Sequence, residues 1–146
     1  PRAPECGACP WADYCAAHAS GVETDYPRKT PKKARPTRQG VAFVVTRGDA
    51  IWLRKRAETG LLGGMMEVPS TNWSDVLPDD IVPPFASNWR EAGSIRHVFT
   101  HFALEMQVWQ ADAPENWAPA TGVWAARTDL DQYALPSLMK KVIAAI

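Results

Sequence analysis

The chain has 146 residues, 46% of them hydrophobic and 22% charged, and its 16 basic and 16 acidic groups cancel to a formal net charge of zero. That composition suits a soluble globular protein with a core of ordinary size; no apolar run reaches the roughly 20 residues needed to span a bilayer, and the start does not resemble a secretory signal. Three cysteines, an odd number packed between positions 6 and 15, argue against a secreted disulfide framework and for a reducing compartment.

The stretch ECGACPWADYC places Cys6, Cys9 and Cys15 at spacings that suit a metal-binding turn. Zinc and iron–sulfur centres ordinarily take four protein ligands, so one ligand is still to be found. On the residues alone, His18 can complete a Cys3His zinc site. The alternatives are a ligand outside these residues, or no site at all.

Residues 27–39 read as a basic, proline-rich linker. Between Arg28 and Arg38 stand Arg28, Lys29, Lys32, Lys33, Arg35 and Arg38 with no acidic residue, and Pro27, Pro31 and Pro36 are interleaved. Proline at this density disfavours helix and central strand and suits an extended connector. The charges are either plainly solvated or a track for a phosphate backbone, where each neutralised phosphate releases counterions.

From residue 40 onward the pattern is that of a folded domain. GVAFVVT and AIWLRKR flank the turn signal Gly48-Asp49 and read as a β-hairpin. TGLLGGMMEVP follows, its glycines interrupting regular structure. Residues 70–94 are rich in Pro, Asp, Asn and Ser and read as loop, with a short helix near 87–91. IRHVFTHFALEMQVWQ alternates with a period of two, so the even positions Val98, Thr100, Phe102, Leu104, Met106 and Val108 form a buried face. A run this long accommodates a hairpin turn near 99–101. GVWAAR reads as a further strand. TDLDQYALPSLMKKVIAAI, with Asp/Thr capping signals and Leu138, Val142 and Ile146 in helical spacing, reads as a closing amphipathic helix. The expected fold is α/β (α+β): a mixed, mainly antiparallel sheet with flanking helices.

LLGGMMEVP resembles the segment that opens Nudix domains, where a Gly-Gly, an acidic residue and a Pro stand ahead of the catalytic helix. The resemblance implies a Nudix-like fold. Nudix hydrolysis also needs several carboxylates on one helical face to hold Mg²⁺ against a pyrophosphate. The nearest candidate helix, REAGSI at 90–95, supplies only Glu91, and Glu67 alone cannot hold the ion. Hydrolysis of a nucleotide diphosphate is therefore expected to be lost.

Nearly the whole chain resembles the MutY-type adenine DNA glycosylases. In that family a C-x6-C-x2-C-x5-C iron–sulfur loop ends the catalytic domain, and a linker leads to a Nudix-like domain that recognises 8-oxoguanine. Cys6, Cys9 and Cys15 match the last three cysteines, and the first would lie seven places before Cys6. RHVFTHFALEM is similar to the segment around the family's Phe-Ser-His loop, with Thr100 in place of Ser, and YALPSLMKKVI is similar to its closing helix.

The resemblance implies an organisation. Residues 1–26 would end the iron–sulfur loop of an upstream catalytic domain, 27–39 would be the linker, and 40–146 the 8-oxoguanine-recognition domain. Cys6, Cys9 and Cys15 would ligate a 4Fe–4S cluster in the full-length protein, absent or incomplete in this fragment by itself. Phe99, Thr100 and His101 would recognise the damaged base, and Arg28, Lys29, Lys32, Lys33, Arg35 and Arg38 would follow the DNA backbone. The implied partners are double-stranded DNA with an 8-oxoguanine:adenine mispair and the upstream catalytic domain, with no membrane, in a bacterial cytoplasm. The parent would be a DNA N-glycosylase of base excision repair whose catalytic residues lie outside this chain. No catalytic residue is named, and the fragment alone is expected to be inactive.

Chemistry gives this carry-over a rationale. 8-Oxoguanine has a proton on N7 and an oxygen at C8 that guanine lacks, and a hydroxyl can accept from the first or donate to the second. The methyl of Thr100 stiffens χ1 relative to Ser. Phe99 can wedge into a base stack, and His101 can reach phosphate or base. Without the family, Thr100 reads as a strand residue at the core edge, and His97 and His101 as solvated cross-strand neighbours. Two other functions compete: a Nudix-type nucleotide pyrophosphohydrolase with a degenerate metal site, and a protein-interaction module using some of the seven tryptophans.

Overall fold

Thr37–Arg47 forms the longest strand, β1, and every position from Gly40 to Thr46 is buried. Its run of Val and Phe fits a pleated surface covered on both faces. The computed structural model describes residues 3–30 and 34–146 and divides into two units, 1–34 and 35–146. The second unit adds β2 (Ala50–Lys55), β3 (Met66–Glu67), β4 (Arg90–Val98), β5 (Ala103–Asp112) and β6 (Val123–Ala126). The strands lie in the order β3-β2-β1-β5-β4, and β6 pairs with β2. The β1–β5 pair is parallel and the others are antiparallel, a mixed and mainly antiparallel sheet as the patterning implies. Gly48, at φ 57°, makes the β1–β2 turn that the Gly-Asp pair signals.

In the first unit, 3-10 turns at Cys6–Ala8, Ala12–Tyr14 and Glu23–Asp25 surround a short helix, α1 (Ala16–Ala19). In the second, a 3-10 turn at Arg127–Gln132 precedes α2 (Ser137–Ile143). The Asp/Thr signals fall in that 3-10 turn; α2 starts after Pro136 with no side-chain cap, and Ile146 lies beyond its end. The amphipathic reading holds in the helix proper, where Leu138, Met139, Val142 and Ile143 are buried. They pack with Ala42 and Val44 of β1, Ile51 and Leu53 of β2, and Leu104, Met106 and Val108 of β5. The opposite face carries an aromatic network: Phe43 meets Trp89 at 5.3 Å and Trp109 at 6.2 Å, and Trp117 meets Trp52 and Phe85, each at 5.0 Å. No helix among the described residues is long and apolar enough to cross a membrane.

Three local expectations are corrected. No helix forms at 87–91, because Arg90 and Glu91 pair with Gln110 and Trp109 on β5 and a bulge at Glu91/Gly93 absorbs the misfit. Arg38 is a sheet residue, since β1 begins at Thr37 and Arg38 stands opposite Leu104. The even-position rule also fails on one side of the turn. Antiparallel pairing sets Val98 against Ala103, His97 against Leu104 and Ile95 against Met106. Partners share a face, so the core side is even in β5 and odd in β4. Val98 is accordingly 51% exposed while Leu104 is fully buried. On urea unfolding, Leu104→Ala is expected to lower stability by about 2–5 kcal/mol, whereas Val98→Ala changes it by no more than about 0.5 kcal/mol.

Candidate nucleic-acid interface and cysteine loop

The β4–β5 hairpin closes where the Phe99 amide donates to the Phe102 carbonyl at 2.9 Å. Thr100 and His101 are exposed at its tip, while Phe99 is half-buried and Phe102 buried. Phe99 lies 4.7 Å from Phe102, 4.7 Å from His97 and 5.8 Å from Trp73, the last in a stacked arrangement. The Phe99 ring therefore anchors the tip, and the Thr100 hydroxyl and His101 imidazole are the groups it presents outward. His97 is not the solvated neighbour that strand alternation suggests. Its Nδ1 is buried without a partner, and burial, aided by the charge of Lys141, holds its pKa below the usual histidine range.

Trp73 reaches the hairpin because residues 70–74 run beside β1. Gln39 and Ser74 exchange backbone hydrogen bonds of 2.7 and 3.2 Å, and the Thr71 amide donates to the Val41 carbonyl at 2.9 Å. The Val41 amide in turn donates to Thr71 Oγ1 at 3.0 Å. Gly40 makes the approach possible, since a Cβ there would stand 2.9 Å from Trp73 Cδ1.

Glu67 follows the Gly-Gly segment as the Nudix-like pattern expects, yet it has no metal-binding geometry. It is 4% exposed. Arg54 Nε donates to its Oε1 at 2.9 Å and Arg56 Nη1 to its Oε2. Both oxygens are thus occupied by guanidinium groups, and residues 68–89 contain no helix that could bring further carboxylates. Arg56 also lies over Trp73 at 5.4 Å, and Arg38 over Phe102 at 4.5 Å.

Of the other basic positions, Arg28 lies over the Tyr26 ring at 5.2 Å. Lys29 and Arg35 are exposed, and Lys32 and Lys33 lie outside the described residues.

The three cysteines sit on one compact winding. The Cys9 amide donates to the Cys6 carbonyl, Ala12 to Cys9, Cys15 to Ala12 and Ala19 to Cys15, at 2.9–3.2 Å. Cys6 and Cys15 are half-buried and Cys9 is exposed. Burial raises the Cys6 pKa, and Glu23, Cys15 and Cys9 add to the shift. The Cys6 thiol so placed holds its proton until a cation takes up the charge, and thiolate on a cation is the donor chemistry an iron–sulfur or zinc centre needs. His18 is drawn toward Cys6 and Glu23: their ligand atoms lie within 4.8 Å of one another, the only such group among the described residues. His18 therefore stands with Cys6 and Glu23, a grouping that includes neither Cys9 nor Cys15.

Arg54, Arg56 and Trp73 belong to this surface without having been singled out in the sequence. Alternation through WLRKR puts Arg54, near the end of β2, and Arg56, just past it, on the same side of the chain, whereas nothing local marks Trp73.

Residues 40–145 match the family model described as NUDIX domain, and residues 1–15 match the one described as iron-sulfur binding domain of endonuclease III. The chain is 27% identical over 137 residues to the adenine DNA glycosylase of Homo sapiens, an alignment covering 81% of this chain and 25% of that protein. This chain thus spans about a quarter of that relative's length. Its fold is similar to the C-terminal domain of mouse MUTYH, crystallised in complex with human PCNA, with a TM-score of 0.55 and 22% identity over 74% of this chain and 86% of that one. It is also similar to a MutT protein from Methanosarcina mazei Go1, with a TM-score of 0.58 and 14% identity over 77% and 94%. These two likenesses speak to the fold, a mixed α+β Nudix architecture.

Two outcomes are expected from this geometry. Glu67→Gln, which removes the charge that Arg54 and Arg56 share, lowers stability by about 1–3 kcal/mol in urea titrations. Because the folded pKa of His97 is depressed, its contribution to stability is present above the unfolded value and lost as pH falls through the folded one. Melting temperature therefore drops between neutral and mildly acidic pH, and His97→Gln flattens that part of the profile.

Proposed function

We propose, from the premise that this chain belongs to the NUDIX domain family, that it is the region of an adenine DNA glycosylase that recognises 8-oxoguanine opposite adenine during base excision repair. The observation that carries the reading is a conjunction. A Nudix domain whose candidate metal carboxylate is locked between Arg54 and Arg56 shares a chain with an iron–sulfur-type cysteine loop. The hairpin whose sequence is similar to the Phe-Ser-His segment of the MutY-type family presents a hydroxyl and an imidazole to solvent, which supports the reading. A pyrophosphohydrolase would need Glu67 free, and an interaction module would need its tryptophans exposed; five of the seven pack in the aromatic network instead.

In this reading Thr100 Oγ1 accepts the N7 proton of 8-oxoguanine or donates to its C8 oxygen, and His101 contacts the flanking phosphate or base edge. Phe99 orders the tip from below. Arg28, Lys29, Lys32, Lys33, Arg35 and Arg38 contribute sequence-independent attraction to the backbone. Excision of the adenine belongs to the upstream catalytic domain, where the base is extruded from the stack. Cys6, Cys9 and Cys15 would hold a 4Fe–4S cluster together with a fourth ligand, and the cluster would supply a rigid cross-link for this winding. The thiols stand on a run of short turns, and their soft sulfur donors suit such a cluster.

Thr100→Ala tests the reading in the full-length protein. Equilibrium binding to duplexes carrying 8-oxoguanine:adenine or guanine:adenine should show the preference for the oxidised base falling by roughly five- to tenfold, the loss of one hydrogen bond of about 1 kcal/mol or slightly more. Thr100→Ser should retain it. An unchanged preference in Thr100→Ala would remove this hydroxyl from the reading site.

A further inference from the structure

A cleft of about 420 Å³ opens between the start of β1, the end of β2 and the segment at 67–73, lined by Arg38, Arg54, Arg56, Glu67, Thr71 and Trp73. Its charge is unbalanced. Three guanidinium groups face one carboxylate, whereas the neighbouring cleft along β4 and β5 has Arg96 compensated by Glu105 at 3.8 Å. We propose that the Arg38–Arg54–Arg56 cleft is a binding site for the phosphate group of a nucleic acid, and that it receives a backbone phosphodiester of the strand read by the hairpin tip. The assignment rests on the reading of this domain as the DNA-recognition region.

The geometry favours an anion. Glu67 binds Arg54 through Nε alone and Arg56 through Nη1 alone. The remaining guanidinium N–H groups of both residues stay available, held in fixed orientation by a carboxylate that is itself buried. Arg38 forms no ion pair among the described residues and is exposed at the mouth. Thr71 Oγ1 accepts from the Val41 amide, which leaves its own proton free to donate. A phosphate entering here meets preorganised donors, and the two arginines need no rearrangement to receive it.

The position links the cleft to the hairpin. Trp73 is a cleft wall on one side and stacks on Phe99 on the other, and Arg38 lies over the ring of Phe102. Cleft and tip therefore share one aromatic support. A strand whose base meets Thr100 would pass its backbone over this shared support, where Arg38 and Arg56 lie against Phe102 and Trp73.

The test measures DNA affinity of the full-length protein against salt concentration, for Arg38→Gln, Arg54→Gln and the charge-preserving Arg54→Lys. Thermal melting confirms that each variant is folded; Arg56 still pairs with Glu67 in the Arg54 variants. Each Gln variant should bind the 8-oxoguanine:adenine and guanine:adenine duplexes about tenfold more weakly and to equal degree. Each should also make the slope of log affinity against log salt shallower by about 0.9, whereas Arg54→Lys, which keeps the charge, retains the parent slope and loses only part of the affinity. Affinity and slope matching the parent protein overturn the proposal, as does a loss confined to the oxidised duplex. Arg38-dependent binding of dGTP with DNA affinity unchanged would assign the cleft to a free nucleotide and also overturn it. A parent protein without preference for 8-oxoguanine but with the expected slope change counts against the base-reading function alone.

Discussion

The parallel pairing of β1 with β5 is the constraint from which the rest of the second unit follows. It runs from Thr37 opposite Ala103 to Thr46 opposite Asp112 without a break in register. A strand so deeply buried must satisfy backbone donors and acceptors on its other edge as well. β2 does so only at Thr46 and Arg47, and the segment after β3 takes over at Gln39–Phe43. That division of the edge is what carries Trp73 to the base of the β4–β5 hairpin, and what leaves Arg38 beside Arg54 and Arg56.

Against that framework, Glu67 shows a buried carboxylate serving arginines and no cation. Arg54 donates to one of its oxygens and Arg56 to the other, so that its negative charge is spent within the fold and the local field is positive. A buried carboxylate with both oxygens donated to by arginines is a structural fastener, and its reward is the orientation it imposes on the two side chains.

The sheet was largely legible because its strands carry strong signals: a β-branched run with a Gly-Asp turn, and a long period-two stretch. The β4–β5 hairpin was legible in place but not in facing, because a period-two pattern read straight through a turn assigns the same parity to both arms, whereas pairing of Val98 with Ala103 requires opposite parities. The start of β4 was misread since Arg90 and Glu91 have no strand preference of their own; tertiary pairing with β5 decides them. At the candidate site, Thr100 and His101 stood out through their likeness to a known segment. Trp73 came from a loop 26 residues before Phe99, a distance over which no local rule operates. The cysteine winding shows the same limit: Glu23, which the chain path brings beside Cys6 and His18, carries no ligand signal in its spacing.

The four-residue passage from Val98 to Ala103 has an evolutionary corollary. Both arms of the hairpin present one face to the core, and their agreement depends on how many residues lie between them. Side chains at the tip can be exchanged at little risk to the fold, as Thr in the place of Ser already illustrates. A single inserted or deleted residue would turn one arm over, driving Leu104 and Met106 outward or Ile95 away from the core. Lineages carrying this domain are thus free to change what the tip says while being held to how long it is.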